Sequence, residues 1–167
     1  MERISKNCSY KEAVHSDTAK RLDIINEPNE EQLVFMRDLA TRIFEPIREH
    51  FSVPIYISSF FRSSVLNKAI KGSTSSQHLK GQAIDIDADI YGKVTNKQIF
   101  EYIKDNLEFD QLIAEGLIEG SDNPAWIHCS YVNGNNRREI LVHTVINKKA
   151  KYYIYDPKKK LNISLYK

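Results

Sequence analysis

Cysteine is nearly missing from this chain. Its two copies, Cys8 and Cys129, cannot build a disulfide framework, which excludes a small scaffold held by bridges. Cys129 falls on the apolar face of its expected strand, with Ile127 and Tyr131, and reads as a buried thiol. No stretch approaches the roughly 20 consecutive apolar residues of a membrane-spanning helix, so no span is expected. The opening residues Met1-Glu2-Arg3-Ile4-Ser5-Lys6 lack the apolar segment of a secretory leader, so none is expected there. A large charge excess is also absent. The formal net charge is +2, too little to argue for a nucleic-acid partner. There are no repeats and no low-complexity tracts. Neither Ser76 nor Ser130 sits in a Gly-x-Ser-x-Gly elbow, which counts against a Ser-His-Asp hydrolase.

What is present fits one domain with a real core, since 167 residues suffice for that. The reading assigns residues 1–146 to the domain and 147–167 to a basic C-terminal extension that could add an edge strand to it. Lys148-Lys149, Lys151 and Lys158-Lys159-Lys160 make that tail either a solvated face or an attraction for an anionic polymer.

Helix signals dominate the first half. Ser9 with Glu12 is a capping box for a short helix, and Ser16-Asp17-Thr18 can start a second. Pro28-Asn29-Glu30-Glu31 opens a long helix with the stripe Leu33, Met36, Leu39, Ala40, Ile43 and Ile47, which Pro46 should bend or stop. A strand is expected from Phe51 to Ser59. Ser63 or Ser64 caps a helix ending at Gly72, and Thr95 with Gln98 caps another. Strands are expected at Ala83 to Asp87, Phe109 to Glu115, Ala125 to Tyr131, Glu139 to Ile146 and Lys151 to Tyr155, with a hairpin signal at Asn133-Gly134-Asn135. Helices before most of the strands predict an α+β fold with a largely antiparallel sheet flanked by helices.

The chemistry gathers in Ser76-Gln77-His78-Leu79-Lys80-Gly81-Gln82-Ala83-Ile84-Asp85. Alternation in the strand puts Ile84 and Ile86 on one face and Asp85 and Asp87 on the other. A carboxylate beside a core needs a partner. His78 enters the strand through a turn at Gly81, and Trp126-Ile127-His128 offers a further imidazole. His78, Asp85 and His128 form a metal-ligand set with a fourth position open, the pattern of a catalytic site.

These residues resemble the zinc-dependent D-Ala-D-Ala carboxypeptidase and L-alanyl-D-glutamate endopeptidase family, enzymes that cut peptidoglycan peptides and include phage endolysins. The family pattern Ser-x-His-x-x-Gly-x-Ala-x-Asp is met from Ser76 to Asp85, and the later Trp-x-His at Trp126 to His128. Glu45-Pro46-Ile47-Arg48, Pro54 to Ser58, Arg62-Ser63 and Phe109 to Glu115 also match, so the likeness runs from about Ser9 to Thr144. It implies a hedgehog/D-Ala-D-Ala-peptidase-like fold, Zn2+ as the metal and a peptidoglycan peptide as the partner. An enzyme made in the cytoplasm without a leader would reach the wall by another route. The resemblance also implies that Arg62 contacts the substrate near the reacting centre.

Two positions depart from the family. Ala125 stands where many members carry a Glu three residues before the last histidine, and Phe60 stands where glycine is common. The general base expected instead is Glu115, which shares a strand face with Gln111; Glu119 and Asp122 are weaker candidates. Asp87 is either a partner orienting a ligand or the exposed end of its strand. Ser76 and Gln77 are candidates for bonding substrate backbone, and Trp126 for lining the pocket. His15, His50 and His143 read as ordinary core or surface residues. Ala125 also motivates a second reading, a non-catalytic metal-containing module that binds wall peptides.

Overall fold

The computed structural model describes residues 2–166. A two-stranded antiparallel ribbon, β1 (Arg3–Ser5) with β2 (Cys8–Ser9), comes first. Glu45 ties it to the body by accepting from the Asn7 backbone N–H and side-chain amide, each at 2.6 Å. Two short helices follow, α1 (Tyr10–Ala13) and α2 (Asp17–Arg21), capped by Ser9 and Ser16 as their sequences predict.

The long helix starts at its Asn29 cap as α3 (Glu30–Leu39) and passes without a break through a π-helical turn, Ala40–Phe44, into α4 (Glu45–Phe51). Pro46 neither stops nor sharply breaks it. In the wider turn the Glu45 N–H bonds five residues back to the Ala40 carbonyl. That local widening accommodates a residue with no N–H to give. The helix ends at Ser52, in the left-handed region at φ 53°. The expected strand from Phe51 is therefore shorter. Phe51 still closes α4, Pro54 cannot donate to a ladder, and β3 spans Tyr56–Ser59.

After β3 come α5 (Ser64–Ala69), capped by Ser63, and β4 (Ala83–Asp87). Next are α6 (Asn96–Asn106), with the Thr95/Gln98 capping box, β5 (Gln111–Glu115) and β6 (Trp126–Ser130). β7 (Glu139–Ile146) and β8 (Lys149–Ile154) complete a mixed sheet ordered β3-β4-β6-β5-β7-β8. This is the α+β class the sequence implies, and every pairing in the main sheet is antiparallel except β5 with β7.

That parallel pair corrects the hairpin expected at Asn133-Gly134-Asn135. Gly134 does turn there, at φ 73°. However, both edges of β6 are already taken, by β4 and by β5, so β7 must join the sheet at the free edge of β5. The tight hairpin lies one connection later, between β7 and β8. There Asn147 and Lys148 both adopt positive φ, 51° and 61°, as a primed turn requires.

One face of the sheet is apolar. Ile84, Ile86, Leu112, Ala114, Ile127, Cys129 and Val142 join Met36, Leu39, Ile43 and Ile47 of the long helix and Ile99, Phe100 and Ile103 of α6 in one buried cluster. Each fully buried side chain of this size contributes about 1.5–3 kcal/mol, so the helix layer is held by burial. The opposite face carries polar residues in the alternate positions and forms a groove. Among the described residues no helix is long and apolar enough to cross a membrane.

Candidate metal centre and groove

Strand pairing brings two of the expected ligands together. Asp85 on β4 lies directly opposite His128 on β6, and side chains of an opposed pair point to the same face. His78 arrives from a 3-10 turn, Gln77–Lys80, that ends at Gly81 with φ 73°. A Cβ on Gly81 would lie 2.6 Å from Met36 Cγ and 2.8 Å from the Gln32 carbonyl. Only glycine lets the turn sit this close to α3. Gln32 Nε2 also donates to the Leu79 carbonyl at 2.9 Å, so α3 sets the height of His78 above the sheet.

His78, Asp85 and His128 offer ligand atoms that all lie within 4.8 Å of one another. Asp85 Oδ1 is 3.2 Å from His78 Nε2 and 2.9 Å from His128 Nδ1. His78 Nδ1 is 2.6 Å from the Phe60 carbonyl. A carbonyl only accepts, so Nδ1 carries the hydrogen and Nε2 of the neutral ring is bare. Burial lowers the pKa of this ring, against the pull of Asp85, so neutral is its form near pH 7. Nε2 is buried with no hydrogen-bond partner. A bare nitrogen facing a carboxylate oxygen in a buried spot is unfavourable unless a cation lies between them. The residues present therefore fit a metal, and the orphaned Nε2 is the observation that says so.

Asp85 is ionised. Burial alone would raise its carboxyl, but the hydrogen bond with His128 Nδ1 at 2.9 Å works against burial, and the carboxyl lies well below the usual carboxylate range. Its second oxygen accepts from Arg62 Nη2 at 2.5 Å, and Arg62 Nε donates to Ser59 Oγ at 2.8 Å. Arg62 thus orients a ligand, the task usual for such outer partners. Phe60 has a comparable role through its backbone: the ring is fully buried while its carbonyl fixes the tautomer of His78.

The groove encloses about 820 Å³ and is lined by Arg62, Ser76, Gln77, Trp126, Glu115 and the three candidate ligands, with Arg137, His143, Lys148 and Tyr152 along its other side. Glu115 lies at the end of β5 on the face of Gln111 and Ile113, where Ile113 pairs with His128 and Glu115 with Trp126. Only 7% of Glu115 is exposed. Burial pushes its carboxyl up to about 7, helped by Asp85 and opposed by His128 and Arg62. A carboxyl poised near neutrality beside a metal set can accept and return a proton.

Other expectations fall elsewhere. Asp122 pairs with Lys97, and Glu119 accepts from Ser164 Oγ at 3.1 Å. Neither lines the groove. Asp87 caps the turn after β4, accepting from the Asp89 N–H at 3.2 Å and from Asn96 Nδ2 at 3.0 Å, so it orients no ligand. Ser76 and Trp126 do line the groove, but the Gln77 side-chain amide is committed to Asp110 at 2.9 Å. His15 pairs with Asp17 at the surface and His50 stacks on Tyr102. His143 is the exception among the histidines read as ordinary. It lies on the groove side of β7, with Nδ1 2.6 Å from Glu115 Oε2.

The peptidase M15 family model matches residues 7–130. The chain belongs to the peptidase M15 family. M15 peptidases are metal-dependent, and this one is a metallopeptidase by family. No curated protein matches the chain. The matched segment holds Arg62, His78, Asp85, Glu115 and His128, and it ends before β7. His143 and Tyr152 therefore lie outside the segment that the M15 pattern covers. The available signal was weaker: a histidine on the Leu141/Val145 face of a strand whose neighbours are apolar.

One clamp braces the groove from below. Asp110, 2% exposed, accepts from Arg137 Nε at 2.9 Å, Arg137 Nη2 at 2.8 Å and the Arg137 N–H at 3.0 Å. Chiefly through Arg137, its carboxyl falls from 3.8 to about 2. Arg137→Ala leaves a buried carboxylate short of donors and should cost about 1–3 kcal/mol in denaturant unfolding. A depressed folded pKa contributes stability that is present above the unfolded value and lost as pH falls through the folded one. The gap between parent and variant should therefore be full above about pH 4 and close toward about pH 2. A gap that does not change with pH would remove Asp110 as its source.

Proposed function

We propose that this metallopeptidase is zinc-dependent and hydrolyses peptide bonds in the stem peptides of bacterial peptidoglycan. The observation that carries the proposal is the His78, Asp85 and His128 ligand set with the buried carboxyl of Glu115 in the same groove, its pKa pushed up by burial.

The metal would be held by Nε2 of His78, Oδ1 of Asp85 and Nδ1 of His128. When bound, it supplies a lowered pKa for a coordinated water, toward ~7, and polarises the scissile carbonyl. The remaining work belongs to side chains. Glu115 as carboxylate takes the proton of the attacking water and returns it to the leaving amine. It fills the role that Ala125 leaves open. Arg62 holds Asp85 aimed through its bond to the second carboxylate oxygen, and its guanidinium faces the groove where negative charge develops on the carbonyl oxygen. Ser76 and Trp126 border the substrate's path. Arg62, Arg137 and Lys148 give the groove a positive lining, which suits a stem peptide rich in carboxylates.

The test is a paired measurement of metal content and cleavage of purified wall peptides. Zinc should copurify in stoichiometric amount, cleavage should stop with a chelator, and zinc should restore it. A protein without metal, or cleavage indifferent to its removal, ends this reading. The Ala125 departure keeps a binding module in play. Tight zinc-dependent binding of wall peptides with no turnover on any of them would favour it.

A further inference from the structure

The contact between Glu115 and His143 is not required by the ligand set or by the groove lining. Oε2 lies 2.6 Å from His143 Nδ1, and the Gly116 N–H donates to the same nitrogen at 3.2 Å. The 2.6 Å contact needs a single hydrogen: the carboxyl carries it while Glu115 is protonated and Nδ1 accepts, and Nδ1 carries it in the other tautomer when Glu115 is the carboxylate. The imidazole is fixed on its other sides. The Tyr152 ring stacks on it, with centroids 4.5 Å apart and planes at 26°. The His143 carbonyl accepts from the Leu117 N–H at 2.9 Å, and Thr144 Oγ1 donates to the Leu117 carbonyl at 2.6 Å.

His143 is also costly to keep. Its Nε2 is buried with no hydrogen-bond partner, a penalty that a leucine or phenylalanine filling the same space would avoid. What those residues could not do is share a hydrogen with Oε2.

We propose that His143 is the positioning residue of Glu115: Nδ1 holds Oε2 so that Oε1 is the oxygen presented to the groove. The charged and titratable groups facing the pair are Asp85 on β4, His128 on β6, Arg62 ahead of α5 and Tyr152 on β8. The catalytic use of this contact rests on the peptidase reading, but the contact can be measured without it.

The experiment compares His143→Asn with His143→Gln in the full chain. The Asn amide reaches about as far as Nδ1, and the Gln amide about as far as Nε2. Both variants are polar, and their folding is checked by thermal unfolding and zinc content. On wall peptides His143→Asn should keep most of kcat, whereas His143→Gln should lose about 30- to 100-fold with KM changed less than about twofold, since misplacing a reacting group acts on turnover. In the metal-free chain, carbon-13 shifts of the Glu115 carboxyl followed against pH should show a displaced midpoint in His143→Gln alone. Equal losses in both variants, or none in either, overturn the proposal. If the parent cleaves no wall peptide, the peptidase reading fails and the carboxyl titration decides alone. A midpoint moved only by Gln then upholds the positioning contact, and three identical titrations overturn it.

Discussion

Glu115→Gln is expected to lower kcat on wall peptides by about 10²- to 10⁴-fold while zinc content stays at the parent level, because general-base catalysis is worth that much. Glutamine keeps the shape of the side chain and can donate to His143 Nδ1 as the protonated acid does. It cannot take a proton from water. Unfolding gives an independent check on the metal-free chain. The folded-state carboxyl of Glu115 sits at about 7, above its ordinary 4.5. A raised carboxyl pKa adds nothing below the unfolded value, where both states are protonated, and costs the folded state increasingly as pH rises through the folded value. The variant should therefore match the parent near pH 4 and exceed it by about 3 kcal/mol at pH 8. A variant less stable than the parent at pH 8 would refute the raised carboxyl, and one that keeps its kcat would exclude Glu115 as the base.

Asp85→Ala should have the next largest effect, on metal binding first. Asp85 is the only anion in the ligand set, and its Oδ1 faces both imidazole nitrogens. Zinc affinity should fall by more than about 100-fold, since losing even an outer partner of a ligand costs 10- to 100-fold. The same change leaves the Arg62 guanidinium, whose side chain is 17% exposed, without its carboxylate. Breaking a buried pair on one side costs about 3–5 kcal/mol, so the metal-free variant should also unfold at lower denaturant. Adding Arg62→Met to Asp85→Ala should recover part of that stability and none of the zinc affinity. Zinc titration followed by calorimetry separates the two effects. A single variant that binds zinc like the parent would mean that the cation is held elsewhere.

Several features of this chain needed only local chemistry to be read. The capping boxes at Ser9/Glu12 and Thr95/Gln98 depend on residues three apart, and both form. The alternation from Ala83 to Asp87 fixes which face Asp85 must take, and Trp126 to Ser130 does the same for His128. Glu115 was reachable in the same way, as the polar end of a strand sharing a face with Gln111. The short span from His78 to Asp85, with Gly81 between, confines two ligands to one neighbourhood whatever the rest of the chain does.

Other features turned on contacts between distant segments. The Asn133-Gly134-Asn135 turn looks like a hairpin locally, but β4 and β5 already occupy both edges of β6. Edge occupancy is a property of the whole sheet, and it sends β7 to a parallel seat beside β5. That seat carries His143 to Glu115 and lets Tyr152 stack on it, so an ordinary-looking histidine becomes part of the groove. The proton affinity of Glu115 has the same origin, since burial sets it and burial depends on how neighbouring strands and side chains close over the site. Spacing along the chain therefore names the ligands. Which carboxyl is kept dry enough to exchange protons near pH 7, and what holds it, follows only from the order in which the strands are laid side by side.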